Sequence, residues 1–181
     1  MRWAFSQKPL RLPEALYCQD SFIFKGRLSK LEDFLSKDKS QENRFPLVTS
    51  VIGEIGNNSF DHNIGNWPDV PGIFFGWSLK EGKIILIDRG LGILSTLKRV
   101  KPELKSDREA LKIAFTKSLS GRGREKRGNG LKYVRRVVHN NNMDLFFQSG
   151  KACIIINKKR KDIKPFESTK YLAGTMAILN Y

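Results

Sequence analysis

Residues 46–62, PLVTSVIGEIGNNSFDH, are the stretch of sequence that decides the fold. Their apolar side chains recur three and four positions apart, which predicts a helix with one buried face. Pro46 is suited to the first turn of that helix. The buried stripe is formed by Leu47, Val48, Val51, Ile52, Ile55 and Ser59. The helix is therefore predicted to run from Pro46 to about His62.

The segments on either side of this helix predict a sheet and further helices. Residues 73–79 and 83–88 are apolar runs around a Lys-Glu-Gly turn, which is typical of an antiparallel hairpin. Helical spacing predicts helices over 28–37, from an N-cap at Asp107 to 119, and over 130–140. Strands are predicted over 143–148, 152–157 and 174–179, with Ser149 and Gly150 as the turn between the first two.

This order of elements predicts an α+β two-layer sandwich, with helices on one face of a mixed or antiparallel sheet. The 181 residues suit a single domain over 1–181, in which 1–25 have no assigned role. No apolar run approaches the roughly 18 residues of a membrane span. The N-terminus lacks the apolar core of a secretory signal. Two distant cysteines, Cys18 and Cys153, exclude a disulfide scaffold and favour a cytoplasmic protein.

The charge of the chain is concentrated in its second half. Residues 1–90 contain 12 basic and 11 acidic residues, whereas 91–181 contain 21 basic and 7 acidic ones. This asymmetry favours a polyanionic partner, such as nucleotide phosphates, nucleic acid or an acidic protein. A solvated basic face that serves solubility is the alternative.

Three motifs carry candidate chemistry, and the first ends the helix over 46–62. Glu54, Asn58 and Asp61 lie four and three residues apart and share one helical face. Such a set can orient a nucleophile with a carboxylate and hold a hard cation with an amide oxygen. The alternative is the solvent side of an amphipathic helix.

The second and third motifs are rich in glycine. Asp88 ends a predicted strand, and Gly90 and Gly92 follow it, so that backbone can approach a ligand closely there. A plain glycine turn is the alternative. Residues 120–131, SGRGREKRGNGL, form a basic glycine-rich loop that enters a helix, a pattern that favours phosphate binding. Here the alternative is an exposed flexible loop.

In this order the three motifs resemble the GHKL superfamily of ATP-binding domains, which includes DNA gyrase, heat-shock chaperone ATPases, histidine kinases and anti-sigma-factor kinases. Residues 54–61 resemble the N box, 88–92 the G1 box, and 128–131 the G2 box. The resemblance extends from about residue 28 to 181 and implies the mixed sheet of the Bergerat fold. The closest type is a stand-alone anti-sigma-factor-kinase-like or detached kinase domain.

The resemblance implies ATP and Mg²⁺ as cofactors and a role for each matching residue. Glu54 would be the catalytic base and Asn58 the Mg²⁺ ligand, while Asp88 would bind the adenine amino group with support from Thr175. Residues 94–127 would form the ATP lid. The other residues implied in nucleotide binding are Asp61, Gly90, Gly92, Arg122, Lys126, Gly128, Gly130 and Leu131.

The matching residues therefore predict Mg²⁺-dependent ATP binding with transfer of the γ-phosphoryl group to a protein partner in trans, or slow hydrolysis. The retained Glu54 favours a kinase or ATPase, since a binding module needs no base. An ATP-gated switch without significant catalysis is the alternative. The basic second half is also a candidate nucleic-acid surface. Arg89 and Asp61 depart from the pattern of many members of the superfamily.

Overall fold

The computed structural model describes residues 2–6, 11–38, 44–117, 129–160 and 162–181. Their strands form one sheet in the order β1-β2-β3-β5-β4, and each neighbouring pair is antiparallel. The strands are β1 Tyr17–Cys18, β2 Ile73–Ser78, β3 Lys83–Asp88, β4 Asp144–Ile156 and β5 Phe166–Asn180. The helices are α1 Arg2–Phe5, α2 Ser21–Ser36, α3 Phe45–Asn63, α4 Gly92–Lys98, α5 Asp107–Thr116 and α6 Gly130–Asn140, with a 3-10 turn at Glu14–Leu16.

The main core lies between one face of the sheet and helices α2 to α6. Side chains alternate across a strand, so Ile84 and Leu86 of β3 point to this helical layer and Ile85 and Ile87 point away from it. The predicted α+β two-layer sandwich is thereby confirmed. The sheet of the described residues is antiparallel throughout, which differs from the mixed sheet that the resemblance implied.

A second, smaller cluster covers part of the opposite face. Trp3 and Ala4 of α1 pack there against Ile87, Leu172 and Met176. The short helix α1 is therefore an addition on the face opposite the main helical layer. Residues 2–6 thus belong to the folded domain.

Among the described residues, no helix is both long enough and apolar enough to cross a membrane.

Two predicted helix starts are corrected by local hydrogen bonds. The helix expected over 28–37 begins at Ser21, where Asp20 Oδ1 caps the helix by accepting from the Ile23 amide at 2.8 Å. The first turn of α2 was not predicted because it does not follow the amphipathic pattern: its apolar Phe22 is 82% exposed. The N-cap of α5 is Ser106, since the Asp107 carboxylate accepts from the Lys151 amide of β4 at 2.9 Å instead. Residues 118–119 of the predicted α5 lie outside the described residues.

The three strands predicted at the C-terminal end are in fact two long ones. Ser149 and Gly150 do not turn the chain but lie inside β4, where the register against β5 shifts. Gly150 has a φ of +59°, and a Cβ there would lie 2.3 Å from the Asp107 carboxyl carbon. A glycine between apolar runs is therefore a β-bulge in this sheet, not a hairpin turn.

Gly56 allows α2 and α3 to approach each other closely. A Cβ at this position would lie 2.1 Å from Cζ of the fully buried Phe24. We expect Gly56→Ala to lower the free energy of unfolding by about 1–2 kcal/mol, because overpacking costs more than the added helix propensity returns. Urea unfolding measures the change.

Gly26 of α2 is the matched control for this substitution. A Cβ on Gly26 meets no atom within 4 Å. Gly26→Ala should therefore raise the free energy of unfolding by roughly 0.5–1 kcal/mol, as expected for an exposed helical site. An unchanged or higher stability of Gly56→Ala would contradict the proposed close contact.

Candidate functional site

The candidate site lies at the end of β3, on the side of the sheet that faces the helices. The alternation that buries Ile84 and Leu86 also directs Asp88 into the helical layer, where it is only 1% exposed. The C-terminal half of α3 passes above it. A carboxyl group is thereby buried at the point where the chain leaves the sheet.

Asp88 accepts four hydrogen bonds, and its two oxygens have different partners. Oδ1 receives the amides of Gly90 at 2.8 Å and Thr175 at 3.2 Å. Oδ2 receives the hydroxyls of Ser59 at 2.8 Å and Thr175 at 2.5 Å. Strand β3, strand β5 and helix α3 are therefore joined through one carboxyl group.

Burial dominates the ionisation of Asp88. Desolvation raises the pKa of this carboxyl above its ordinary value, and the four hydrogen bonds oppose the rise only in part. A buried titratable group with a perturbed pKa at the wall of a cavity is a candidate for function.

A cavity of about 30 Å³ lies beside Asp88. This volume is far below the roughly 300–1,000 Å³ of small-molecule pockets, so the walls must move apart before a ligand of that size can enter. The walls combine a few polar groups with apolar ones, an arrangement typical of small-molecule sites. The polar walls include Asn58, Ser59, Asn63, Asp88 and Thr175, and the apolar ones include Ile55, Ile93, Leu131 and Phe147.

The loop after Asp88 is held against α3 by Asn63. The Asn63 side chain accepts from the Leu91 amide at 2.8 Å and donates to the Ser59 carbonyl at 2.6 Å. A Cβ on Gly90 would lie 2.2 Å from Asn63 Nδ2, so only glycine fits there. Gly92 begins α4 with a φ of +73°, a conformation that favours glycine.

Glu54 and Asn58 meet the start of α6. A Cβ on Gly130 would lie 2.4 Å from Glu54 Oε2 and 3.3 Å from Asn58 Nδ2. Asn58 lines the cavity, and Glu54 lies one turn earlier on α3 outside the cavity wall. Both side chains are half-buried. A carboxylate, an amide and a helix N-terminus therefore converge at one edge of the cavity.

Asp61 lies apart from these groups. It is exposed and borders a second depression, together with Asn57 and Trp67. The expectation that Asp61 shares a face with Asn58 holds along the helix, but the cavity is lined by Asn58 and not by Asp61.

The remaining predicted site residues divide into two groups. Leu131 lines the cavity, while Arg122, Lys126 and Gly128 lie outside the described residues. The described part of the predicted lid, 94–117, is largely helical and contributes to the core through Leu97, Leu104, Leu111 and Phe115. Thr96 of α4 lines the cavity itself.

Arg89 connects the site to the N-terminal segment. Its side chain is buried, pairs with Asp69 at 2.6 Å, and donates to the carbonyls of Trp3 at 2.8 Å and Ser6 at 2.9 Å. The guanidinium also lies over the Trp3 ring. The departure from the superfamily pattern at Arg89 therefore has a structural role in anchoring residues 2–6.

Ser59, Asn63 and Ser149 belong to the candidate site, although the sequence patterns predicted no such role for them. Gly174 directly precedes Thr175 in the predicted last strand. Ser149 Oγ accepts from the Ile93 amide at 2.9 Å, and a Cβ on Gly174 would lie 2.1 Å from Asp88 Oδ1. A glycine next to Thr175 was the one visible signal, since Asn63 and Ser149 act through contacts distant in sequence.

The fold and the site together define a two-layer α+β domain with a cavity built around a buried carboxyl group. The described residues bring Asp88 and Thr175 to its wall, with the Gly90 amide bonded to Asp88. They bring Glu54, Asn58 and Gly130 to one edge. Comparison with protein-family models finds no match, and comparison with curated proteins finds none either.

Proposed function

We propose that this domain binds ATP with Mg²⁺ in the cavity beside Asp88 and transfers the γ-phosphoryl group to a protein partner in trans, or slowly to water. The observation that carries the proposal is the buried Asp88 carboxyl at the wall of a largely apolar cavity. The order of the three motifs, which resembles that of the GHKL superfamily, supports it independently.

The lining of the cavity offers the groups that an adenine ring would contact once the cavity widens. The carboxyl of Asp88 is a hydrogen-bond acceptor and can take the exocyclic amine, while Ile93, Leu131 and Phe147 offer apolar surface to the ring. Gly92 lines the cavity without a side chain. A purine with a carbonyl oxygen in place of the amine would place one hydrogen-bond acceptor against another, the Asp88 carboxyl.

The edge formed by Glu54, Asn58 and α6 suits the phosphates. The first intrahelical hydrogen bond of α6 runs from the Tyr133 amide to the Asn129 carbonyl at 2.8 Å. The amides of Gly130 and Leu131 come before it and therefore have no acceptor within the helix. Such amides favour anionic groups. Asn58 offers an amide oxygen to Mg²⁺, which takes most of its other ligands from phosphates and water.

Glu54 is the residue that can activate an acceptor. A carboxylate beside the phosphate edge can remove the proton from an attacking hydroxyl or water as its oxygen bonds to the γ-phosphorus, while the bond to the bridging oxygen breaks and ADP leaves. Asn58 would hold Mg²⁺, which would neutralise charge on the phosphates, and positioning would supply much of the remaining rate.

An ATP-gated switch without significant catalysis is the second candidate. It is favoured by the direct structural link between the site and two other segments. Arg89 follows Asp88 and holds residues 2–6, and α4 lines the cavity through Thr96. Binding that alters either segment would change the exposed surface of the domain.

Calorimetric titration with ATP and GTP, each with and without Mg²⁺, tests the proposed function. We expect Mg²⁺-dependent binding of ATP and at least about 100-fold weaker binding of GTP, because a buried acceptor discriminates strongly against a ligand without the donor. Equal binding of both nucleotides would contradict the role of Asp88 in recognising the base. Absence of ATP binding by the folded protein would overturn the proposal.

A further inference from the structure

One side of the domain, away from the nucleotide cavity, carries a continuous basic surface. Helix α6 presents Lys132, Arg135, Arg136 and His139, which are spaced by three and four residues and therefore share one helical face. These side chains line a cleft against the end of α5, where Phe115 and Thr116 form the other wall.

A second basic element lies beside the end of this helix. The turn after β4 carries Lys158, Lys159 and Arg160, all exposed. Asn157 organises the turn, because its side-chain oxygen accepts from the amides of Lys159 at 3.2 Å and Arg160 at 3.1 Å. The Asn157 carbonyl lies 3.0 Å from Nδ1 of His139, which brings the turn next to the basic face of α6. We call these seven residues of α6 and the turn the basic surface.

The charge of this region is almost entirely of one sign. Between residues 129 and 160 there are seven Lys and Arg, and Asp144 is the one acidic residue. Concentrated positive charge of this kind raises the local concentration of a polyanion.

We infer that the basic surface binds the phosphate backbone of nucleic acid, independently of base sequence. The cleft between α5 and α6 is lined by Lys132, Arg135 and Arg136, cations of the kind that contact phosphate oxygens. Its apolar wall residue, Phe115, is fully buried, so the surface lacks the exposed apolar centre of a typical protein interface. Nucleic acid is therefore favoured over an acidic protein.

Fluorescence anisotropy of the full chain tests this inference with two labelled probes, a mixed-sequence DNA duplex and a mixed-sequence single-stranded RNA, each about 20 nucleotides long. Contacts to about four phosphates predict a roughly 100-fold loss of duplex affinity between ~50 and ~200 mM KCl. Comparison of the affinities for the two probes identifies whether the basic surface prefers duplex DNA or single-stranded RNA. Binding that is insensitive to salt, or absent for both probes at low salt, would overturn the inference.

A pair of charge-reversed variants separates the basic surface from the net charge of the protein. Arg136→Glu with Lys159→Glu should weaken binding by at least about 10-fold, since both phosphate contacts become repulsive. Lys25→Glu with Lys30→Glu changes the net charge equally on exposed positions of α2, which contacts α3 and is remote from the cleft. Equal weakening by the two variants would mean that net charge alone drives binding.

The inference is independent of the proposed ATP site. Arg136 and Lys159 lie outside the nucleotide cavity, so calorimetric ATP binding should be unchanged in the charge-reversed variant. Loss of nucleic-acid binding with ATP binding retained is the expected result. Loss of both would show that the substitutions disturb the fold of α6, and Arg136→Gln with Lys159→Gln would then repeat the test with a milder change.

Discussion

Asp88→Asn is expected to weaken ATP binding by at least about 30-fold while the domain remains folded. A hydrogen bond to a charged group contributes about 1.5–3 kcal/mol. The NH₂ group of the new asparagine would also place a hydrogen-bond donor against the adenine amine, which is itself a donor. Calorimetric titration with Mg²⁺ and ATP measures the loss. Asp144→Asn, at the exposed start of β4, is the matched control and should bind ATP like the wild type.

The arrangement of hydrogen bonds explains why this variant should fold. Both backbone amides bind Oδ1 and both hydroxyls bind Oδ2. An asparagine can keep its oxygen toward the amides of Gly90 and Thr175 and turn its NH₂ group toward the two hydroxyls. The Ser59 and Thr175 hydroxyls can rotate to accept from the NH₂ group, and the Ser59 hydroxyl can donate to the Ile55 carbonyl instead.

The raised pKa of Asp88 gives a second signature of the same substitution. The folded state binds this proton more tightly than the unfolded state, whose pKa is near the ordinary 3.8. The wild type therefore loses stability relative to Asp88→Asn as the pH rises from that value through the raised folded pKa. Urea unfolding across this range should show that the free energy of unfolding of the variant, relative to that of the wild type, increases with pH. A difference that stays constant with pH would contradict the effect of burial.

Glu54→Gln is expected to leave ATP affinity within about threefold of the wild type and to lower turnover by roughly 10²–10⁴-fold, the usual contribution of a general base. Glutamine has nearly the same shape, so the close approach to Gly130 should persist. Only the ability to take a proton is removed. Release of phosphate from ATP, or transfer to a partner once one is found, measures the effect.

Glu32→Gln is the control for this substitution, since Glu32 is an exposed carboxylate on α2. Its turnover should equal that of the wild type. Turnover by Glu54→Gln at the wild-type rate would exclude Glu54 as the base. A wild type that binds ATP but releases no phosphate would instead favour the ATP-gated switch.

The local patterns of the sequence were sufficient to predict the helices and strands that carry most of the candidate site. The apolar stripe over 46–62 corresponds to α3 at Phe45–Asn63, and the hairpin prediction differs from β2 and β3 by a single residue. Helix α6 has the predicted bounds. In each of these elements, one buried face determines the pattern, and such a pattern can be read without knowledge of its partner.

Features that depend on contacts between distant segments were mispredicted or missed. The Ser149–Gly150 pair looks like a turn because a bulge and a turn share residue preferences, and only pairing with β5 and the contact with Asp107 decide between them. Asn63 lies just beyond the predicted end of the helix at about His62, yet its side chain holds the backbone of Leu91.

The sequence by itself determined the helical and strand patterns, the order of the three motifs and the concentration of positive charge after residue 90. The tertiary structure decided which of those groups meet. It buried Asp88 among donors from α3 and β5, separated Asp61 from the cavity, and joined Arg89 to the N-terminal segment. The physical reason is that periodicity reports the burial of a face within one element, whereas hydrogen bonds between elements depend on how the chain folds as a whole.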